Sequence, residues 1–362
     1  MRYRAFRFLL TGLLCLLFAS PAAAGVQPQP LAAAFPSPSA PGALTPDPLV
    51  QGMIDQVYST TLHSYMSGLT GETPVIVGGQ PYTLTTRYSH SATPIEMATQ
   101  YAYEHLQSLG LETSYYDYTL PGSGTRRDVI AQQTGQLLPG RVVLIVAHLD
   151  STSEAASRAT LAPGADDNAS GSTGVLVAAD ILSQYQLGCT LRYALFTGEE
   201  QGLVGSRAYA ASVHNLGEDV AGVINLDMIA YNTPGSEASI ELHTRPGNSG
   251  DLLIADQFSK VITAYNLQLT PLVIQDAESA SDHASFWQNG FPAILAIEDW
   301  TDHTPYYHKT TDRLQTLDMA YFTQFVKAAV GTLAHLSCLP IPDPPPARIY
   351  LPVVIELQQL SH

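Results

Sequence analysis

Residues 141–150, Arg141-Val-Val-Leu-Ile-Val-Ala-His-Leu-Asp150, decide the reading of the fold. The run at 142–147 is apolar, mostly β-branched, and too short for a buried helix. It lacks the polar alternation of a strand with one wet face, so it reads as a strand covered on both faces of a sheet. The run then stops at His148-Leu-Asp150. Segments 191–196, 220–229 and 293–297 have the same character, and helical patterns at 171–184, 203–212, 252–265, 284–288 and 319–336 lie between or after them. Upstream, Thr93-Pro-Ile-Glu96 reads as a capping box with proline at the first helical position, opening a helix that Gly110 ends. Strands alternating with helices imply a single α/β domain: a mixed, mostly parallel central sheet with helices on both faces.

The flanks have a different composition. Arg2, Arg4 and Arg7 precede a short apolar run and then Ala22-Ala-Ala24, so residues 1–24 are expected to be a secretory signal peptide. The apolar run is shorter than the roughly 20 residues a membrane span needs. Residues 25–48, rich in proline and alanine, read as a linker or pro-segment, residues 49–338 as the folded domain, and residues 339–362 as a proline-rich tail. These features imply an exported protein without stable membrane insertion. The chain has 362 residues and a net charge of −16. Losing residues 1–24 removes three arginines and no acid, leaving −19. Such acidity argues against nucleic acid and anionic membrane surfaces as partners. Two cysteines remain, Cys189 and Cys338, and both a disulfide and two buried thiols stay open.

The polar residues that interrupt the apolar runs are those that bind metal. Segment 142–147 ends in His148-Leu-Asp150, segment 191–196 leads to Glu199-Glu200, and the third run carries Asp227. Between them lies Gly164-Ala-Asp166-Asp167-Asn, and Tyr307-His308 follows later. In open α/β sheets the carboxyl ends of the strands line the ligand crevice, so distant strands deliver His, Glu and Asp to one edge. A charge at Asp227 inside an apolar run is costly unless it is paired or bound to metal. Singly, His-x-Asp is an ordinary turn pair and Asp-Asp-Asn an ordinary cap; in combination they are hard to explain that way. His214, His243 and His303 belong to no such pattern.

Taken in order, His148-Leu-Asp150-Ser, Gly164-Ala-Asp166-Asp167-Asn-Ala-Ser-Gly171, Gly198-Glu199-Glu200-x-Gly-Leu-x-Gly205-Ser206, Asn225-Leu-Asp227-Met, Ser281-Asp282-His283 and Tyr307-His308 resemble the M28 family of zinc metallopeptidases, especially its secreted bacterial leucyl-type aminopeptidases. The resemblance spans roughly residues 50–337. It implies a zinc-exopeptidase-like fold and two Zn²⁺ ions per chain. One would be held by His148 and Asp227 and the other by Glu200 and His308, with Asp166 bridging. Asp150 would orient the His148 ring from behind, Asp167 would shape the turn, and Asp312 is a weaker supporting candidate. Zinc takes such nitrogen and carboxylate donors. Glu199 would be the general base and Tyr307 a hydrogen-bond donor to the oxyanion. Some relatives carry Cys-x-x-x-Cys with a central tyrosine before Ser-Asp-His; this chain has Asp276-Ala-Glu-Ser-Ala280 there.

The implied activity is that of an exported di-zinc aminopeptidase acting on the N-termini of peptides or proteins, with a preference for apolar residues. A carboxylate-rich site suits a free α-amine. Two alternatives share the resemblance: a metallocarboxypeptidase, and a glutaminyl-cyclase-like acyltransferase with one zinc. A non-enzymatic metal-binding or adhesion module would not require Glu199.

Overall fold

The structure, a computed structural model, describes residues 42–338. The expected signal peptide, most of the linker and the tail lie outside the described residues. The order of elements is α1 (Pro48–Ile54), α2 (Ser59–Leu69), β1 (Val75–Val77), β2 (Gln80–Tyr82), α3 (Thr93–Ser108), β3 (Glu112–Leu120), β4 (Gly124–Gln133), β5 (Leu138–His148), α4 (Gly171–Leu182), β6 (Cys189–Phe196), α5 (Val204–Asn215), β7 (Asp219–Leu226), β8 (Ser239–His243), α6 (Ser249–Ala264), β9 (Thr270–Ile274), α7 (His283–Gln288), β10 (Ala293–Glu298) and α8 (Met319–Leu336). The helix α1 starts at Pro48, one residue inside the expected linker, because Asp47 caps it by accepting the Leu49 N–H at 2.8 Å.

Eight strands form one sheet in the order β3-β4-β6-β5-β7-β10-β8-β9. The central block β6-β5-β7-β10 is parallel. The hairpin β3–β4 joins it antiparallel on one side, and β8 joins it antiparallel on the other. Alternate residues of β5 serve two cores. Val143, Ile145 and Ala147 pack with the helices α1, α2, α3, α4, α6 and α8, whereas Val142, Leu144 and Val146 pack with α5 and α7. Burial on both sides is why these runs lack polar alternation.

Two local expectations change. Thr93 is already helical, Ala92 sits at the cap with φ 55°, and no side chain caps this helix; the Glu96 N–H bonds the Ala92 carbonyl instead (3.2 Å). The run expected to extend to residue 229 leaves the sheet after Leu226, and Met228 takes a positive φ of 49°. Asp227 is thus set just beyond the strand end. The β3–β4 hairpin has no apolar run to announce it, since its exposed and half-exposed positions are polar and aromatic.

Cys189 and Cys338 form a disulfide, with Cα atoms 5.2 Å apart and a sequence separation of 149. It ties the start of β6 to the chain leaving α8. Closing so long a loop removes entropy from the unfolded chain. Replacing both cysteines with serine is therefore expected to lower unfolding free energy by about 2–5 kcal/mol. Urea denaturation would show the midpoint falling and, because the unfolded chain is released from the crosslink, the slope rising.

Candidate metal centre

The site forms where the parallel strands end. The strand β5 delivers His148, the turn after β6 delivers Glu199 and Glu200, and the end of β7 delivers Asp227. Two carboxylate–imidazole groups result, His148–Asp167–Asp227 and Asp167–Glu200–His308. Asp167 belongs to both. Its Oδ1 lies 3.2 Å from His148 Nε2, and its Oδ2 lies 3.2 Å from His308 Nε2. Asp227 Oδ1 is 3.3 Å from His148 Nε2, and Glu200 Oε2 is 3.0 Å from His308 Nε2.

This arrangement brings Asp167, not the expected Asp166, to the two imidazoles. Asp167 and Asn168 leave helical dihedrals, so consecutive carboxylates face different ways. Asp166 Oδ1 accepts the Ala230 N–H at 2.9 Å, and its side chain pairs with that of Glu298. Burial, opposed by the Glu298 bond and the Ala230 N–H, leaves the Asp166 carboxyl raised to about 7. Asp167 is buried too, which alone would raise it, yet the two imidazoles hold it well below the usual carboxylate range. The residue expected to shape the turn therefore faces both imidazoles, and the residue expected to bridge is turned away from them.

Groups behind the donors fix their aim. His148 Nδ1 lies 3.1 Å from the Asp150 carbonyl oxygen, which leaves Nε2 facing the carboxylates. Asp150 is itself held by the Ser89 hydroxyl (2.9 Å) and the Glu199 N–H (3.3 Å). Asp227 Oδ2 accepts from Ser281 at 2.5 Å, and Ser281 receives a bond from Asn225 at 2.7 Å. Asp312 accepts the N–H groups of both Asp166 and Asp167, at 2.9 and 3.1 Å. Asp282 is buried near Glu199 and raised to about 7 by that burial. His283 turns away: its Nε2 bonds the Glu278 carbonyl at 2.7 Å and its ring packs edge-on against Trp287.

Two supporting residues had no pattern in the sequence. Arg87 is wholly buried, with Nε on the Leu149 carbonyl (2.7 Å) and its Nη atoms on Pro163 (2.7 Å) and Gly164 (2.9 Å). It links the loop after β5 to the loop carrying Asp167. Glu298 closes β10 and accepts from Tyr231 and Thr304 N–H groups as well as bonding Asp166. Neither residue is near the ligand motifs in sequence.

The donor set fits zinc. Two atoms each about 2.0–2.2 Å from one ion at a tetrahedral angle lie about 3.3–3.6 Å apart, close to the separations here. Glu200 Oε1 is buried with no hydrogen-bond partner among the described residues. Such an orphan is what a second metal contact would satisfy. Burial lowers the His308 pKa, but Asp167 and Glu200 outweigh it and raise it to about 10; His148 is likewise raised by Asp227 and Glu199 against its own burial. Metal, which needs neutral imidazoles, therefore competes with protons at both.

Glu199 belongs to neither group, yet lines a cavity of about 350 Å³ together with His148, Asp167, Asp227 and His308. Burial raises its carboxyl well above the usual range. Tyr307 is 38% exposed on the same cavity and stacks on His308. Burial and the surrounding carboxylates push its phenol up, so it remains a donor at neutral pH.

The model of peptidase family M28 matches residues 128–333, more than half of the chain. The chain belongs to peptidase family M28. Leucine aminopeptidase 1 of Arthroderma gypseum is 31% identical over 214 residues, covering 55% of this chain and 56% of that one. The chain spans about half the length of the curated relatives it matches. Among solved structures, LapB from Legionella pneumophila aligns with a TM-score of 0.67 at 20% identity, covering 81% of this chain and 76% of that one. BSAP, a zinc aminopeptidase from Bacillus subtilis, aligns with a TM-score of 0.64 at 13% identity, covering 77% and 95%. These likenesses establish a shared fold.

The geometry separates the neighbouring aspartates. Asp167→Asn is expected to strip zinc from both groups, and Asp166→Asn to leave most of it bound. Metal analysis of the purified variants checks this, and equal losses in the two would contradict it.

Proposed function

We propose that this chain is an exported di-zinc aminopeptidase, releasing N-terminal residues from peptides by hydrolysis. The observation that carries the reading is the shared Asp167 carboxylate: two donor groups meet on one side chain, at the base of a cavity that Glu199 also lines. Two-metal hydrolases hold their ions about 3.5–4 Å apart, a span one carboxylate can bridge. His148 and Asp227 would hold one zinc, Glu200 and His308 the other, with Asp167 between. Bound there, the metals would supply Lewis acidity and a water acidic enough to ionise near neutral pH.

The chain's own residues divide the remaining work. Glu199, raised by burial and outside both donor groups, takes a proton from the attacking water and returns it to the leaving amine. Its N–H bond to Asp150, which also sits behind His148, fixes base and ligand against a common support. Tyr307 keeps its proton and donates a hydrogen bond to the oxyanion. Carboxylates of the two donor groups and Glu199 attract the free α-amine of the substrate. Among the described residues that line the cavity there is no lysine or arginine, which disfavours recognition of a C-terminal carboxylate. The complete second group, Asp167–Glu200–His308, disfavours a one-zinc cyclase.

Export is part of the proposal. The N-terminal pattern of the sequence and the Cys189–Cys338 disulfide both suit an oxidising compartment. Among the described residues no helix is long and apolar enough to cross a membrane.

Glu199→Gln is expected to retain zinc and lose about 10²–10⁴-fold in kcat, since the proton carrier is removed and the metal donors remain. Zinc-loaded wild-type protein should cleave peptides with free N-termini and spare N-acetylated copies. Near-wild-type turnover in the variant, or cleavage of blocked peptides, would refute the reading.

A further inference from the structure

The strand β8 alternates between two environments. Ile240 and Leu242 enter the main core, while Glu241 and His243 line the cavity that holds the metal groups. Their neighbours across β10 are Ile297 and Leu295, which line the same cavity. Asp227 lies against the other edge of β10, where its N–H bonds the Ala296 carbonyl at 3.3 Å. Asp227 and Glu241 are therefore two strand spacings apart, about 10 Å. That matches the reach of a long side chain whose α-carbon sits near the metals.

The chemistry along this reach changes from apolar to acidic. Met228, Leu295 and Ile297 form an apolar cluster nearest Asp227. Beyond it, His243 is clamped between Glu241 Oε2 (2.9 Å from Nε2) and Asp276 Oδ1 (3.0 Å from Nδ1), and Glu278 lines the rim. Even with His243 charged, three carboxylates leave this wall net negative. Glu241 is only 6% exposed, and no lysine or arginine among the described residues lines the cavity. A buried carboxylate with an incomplete cationic partner is costly, and a pocket shaped for leucine gains nothing from it. Asp276 and Glu278 also stand in the segment where some relatives carry the paired cysteines.

We propose that the cavity selects substrates with a cationic N-terminal residue, lysine or arginine, whose charged end is received by Glu241 with Asp276 beside it. This rests on the aminopeptidase reading above, and it departs from the apolar preference that the family resemblance implies. The aliphatic stem lies along Met228, Leu295 and Ile297, and the ammonium or guanidinium meets the acidic end.

The test is kcat/KM of the zinc-loaded enzyme on lysyl, arginyl and leucyl 4-nitroanilides. Lysyl and arginyl substrates are expected to exceed leucyl by about tenfold or more. Glu241→Gln should cut kcat/KM for the cationic substrates by about tenfold or more, mainly through KM, and leave the leucyl substrate within about threefold. Asp276→Asn, at the more exposed position, should act in the same direction with a smaller effect, which keeps the test open if the first variant folds poorly. A wild-type enzyme that prefers leucyl anilide, or variants that lower all three substrates equally, would overturn this inference and leave the aminopeptidase reading standing. No turnover of any free-amine anilide would overturn that reading and this one with it.

Discussion

Each oxygen of the Asp167 carboxylate faces a different imidazole, and what holds that side chain in place comes from distant parts of the chain. Asp312 takes the N–H groups of residues 166 and 167, while Arg87 ties Pro163 and Gly164 to the loop after β5. Gly164 sits at φ 49°, and a Cβ there would come within 2.3 Å of the Asp167 carbonyl oxygen, so the turn admits no side chain. Because both donor groups share Asp167, a small displacement of this loop would disable them together.

The second constraint is charge. Asp150, Asp166, Asp167, Asp227, Asp282, Glu298 and Asp312 are all buried at or near one sheet edge. The structure manages them in different ways. Burial and the neighbouring Asp166 push Glu298 well above the usual carboxylate range, Asp150 and Asp312 collect N–H and hydroxyl donors, and Asp167 is matched by two imidazoles. Glu200 keeps an orphaned oxygen, and it lies in a donor group. The net charge of −16 is thus partly a property of the site, where divalent cations would offset it, and not only of the solvated surface.

The central sheet was legible because burial on both faces writes continuous apolar runs, and the site because its donors interrupt those runs at their downstream ends. What stayed hidden depended on geometry that sequence does not encode locally. Two adjacent aspartates are equivalent on paper, and only the dihedral break at Asp167–Asn168 separates them. Arg87 works through carbonyl groups, which every residue has, so no motif marks it. His243 and Glu241 belong to no motif, and an alternating strand normally turns its polar residues to water; here they line a cavity. The disulfide required a distance, and the β3–β4 hairpin required partners across the sheet to explain its aromatic residues.

The central claim is that Asp167 joins two zinc ions. Anomalous diffraction at the zinc edge from crystals of the zinc-loaded protein tests it most directly. Two peaks are expected about 3.5–4 Å apart, one on each side of the Asp167 carboxylate. A single peak, or a pair joined through Asp166, would contradict it.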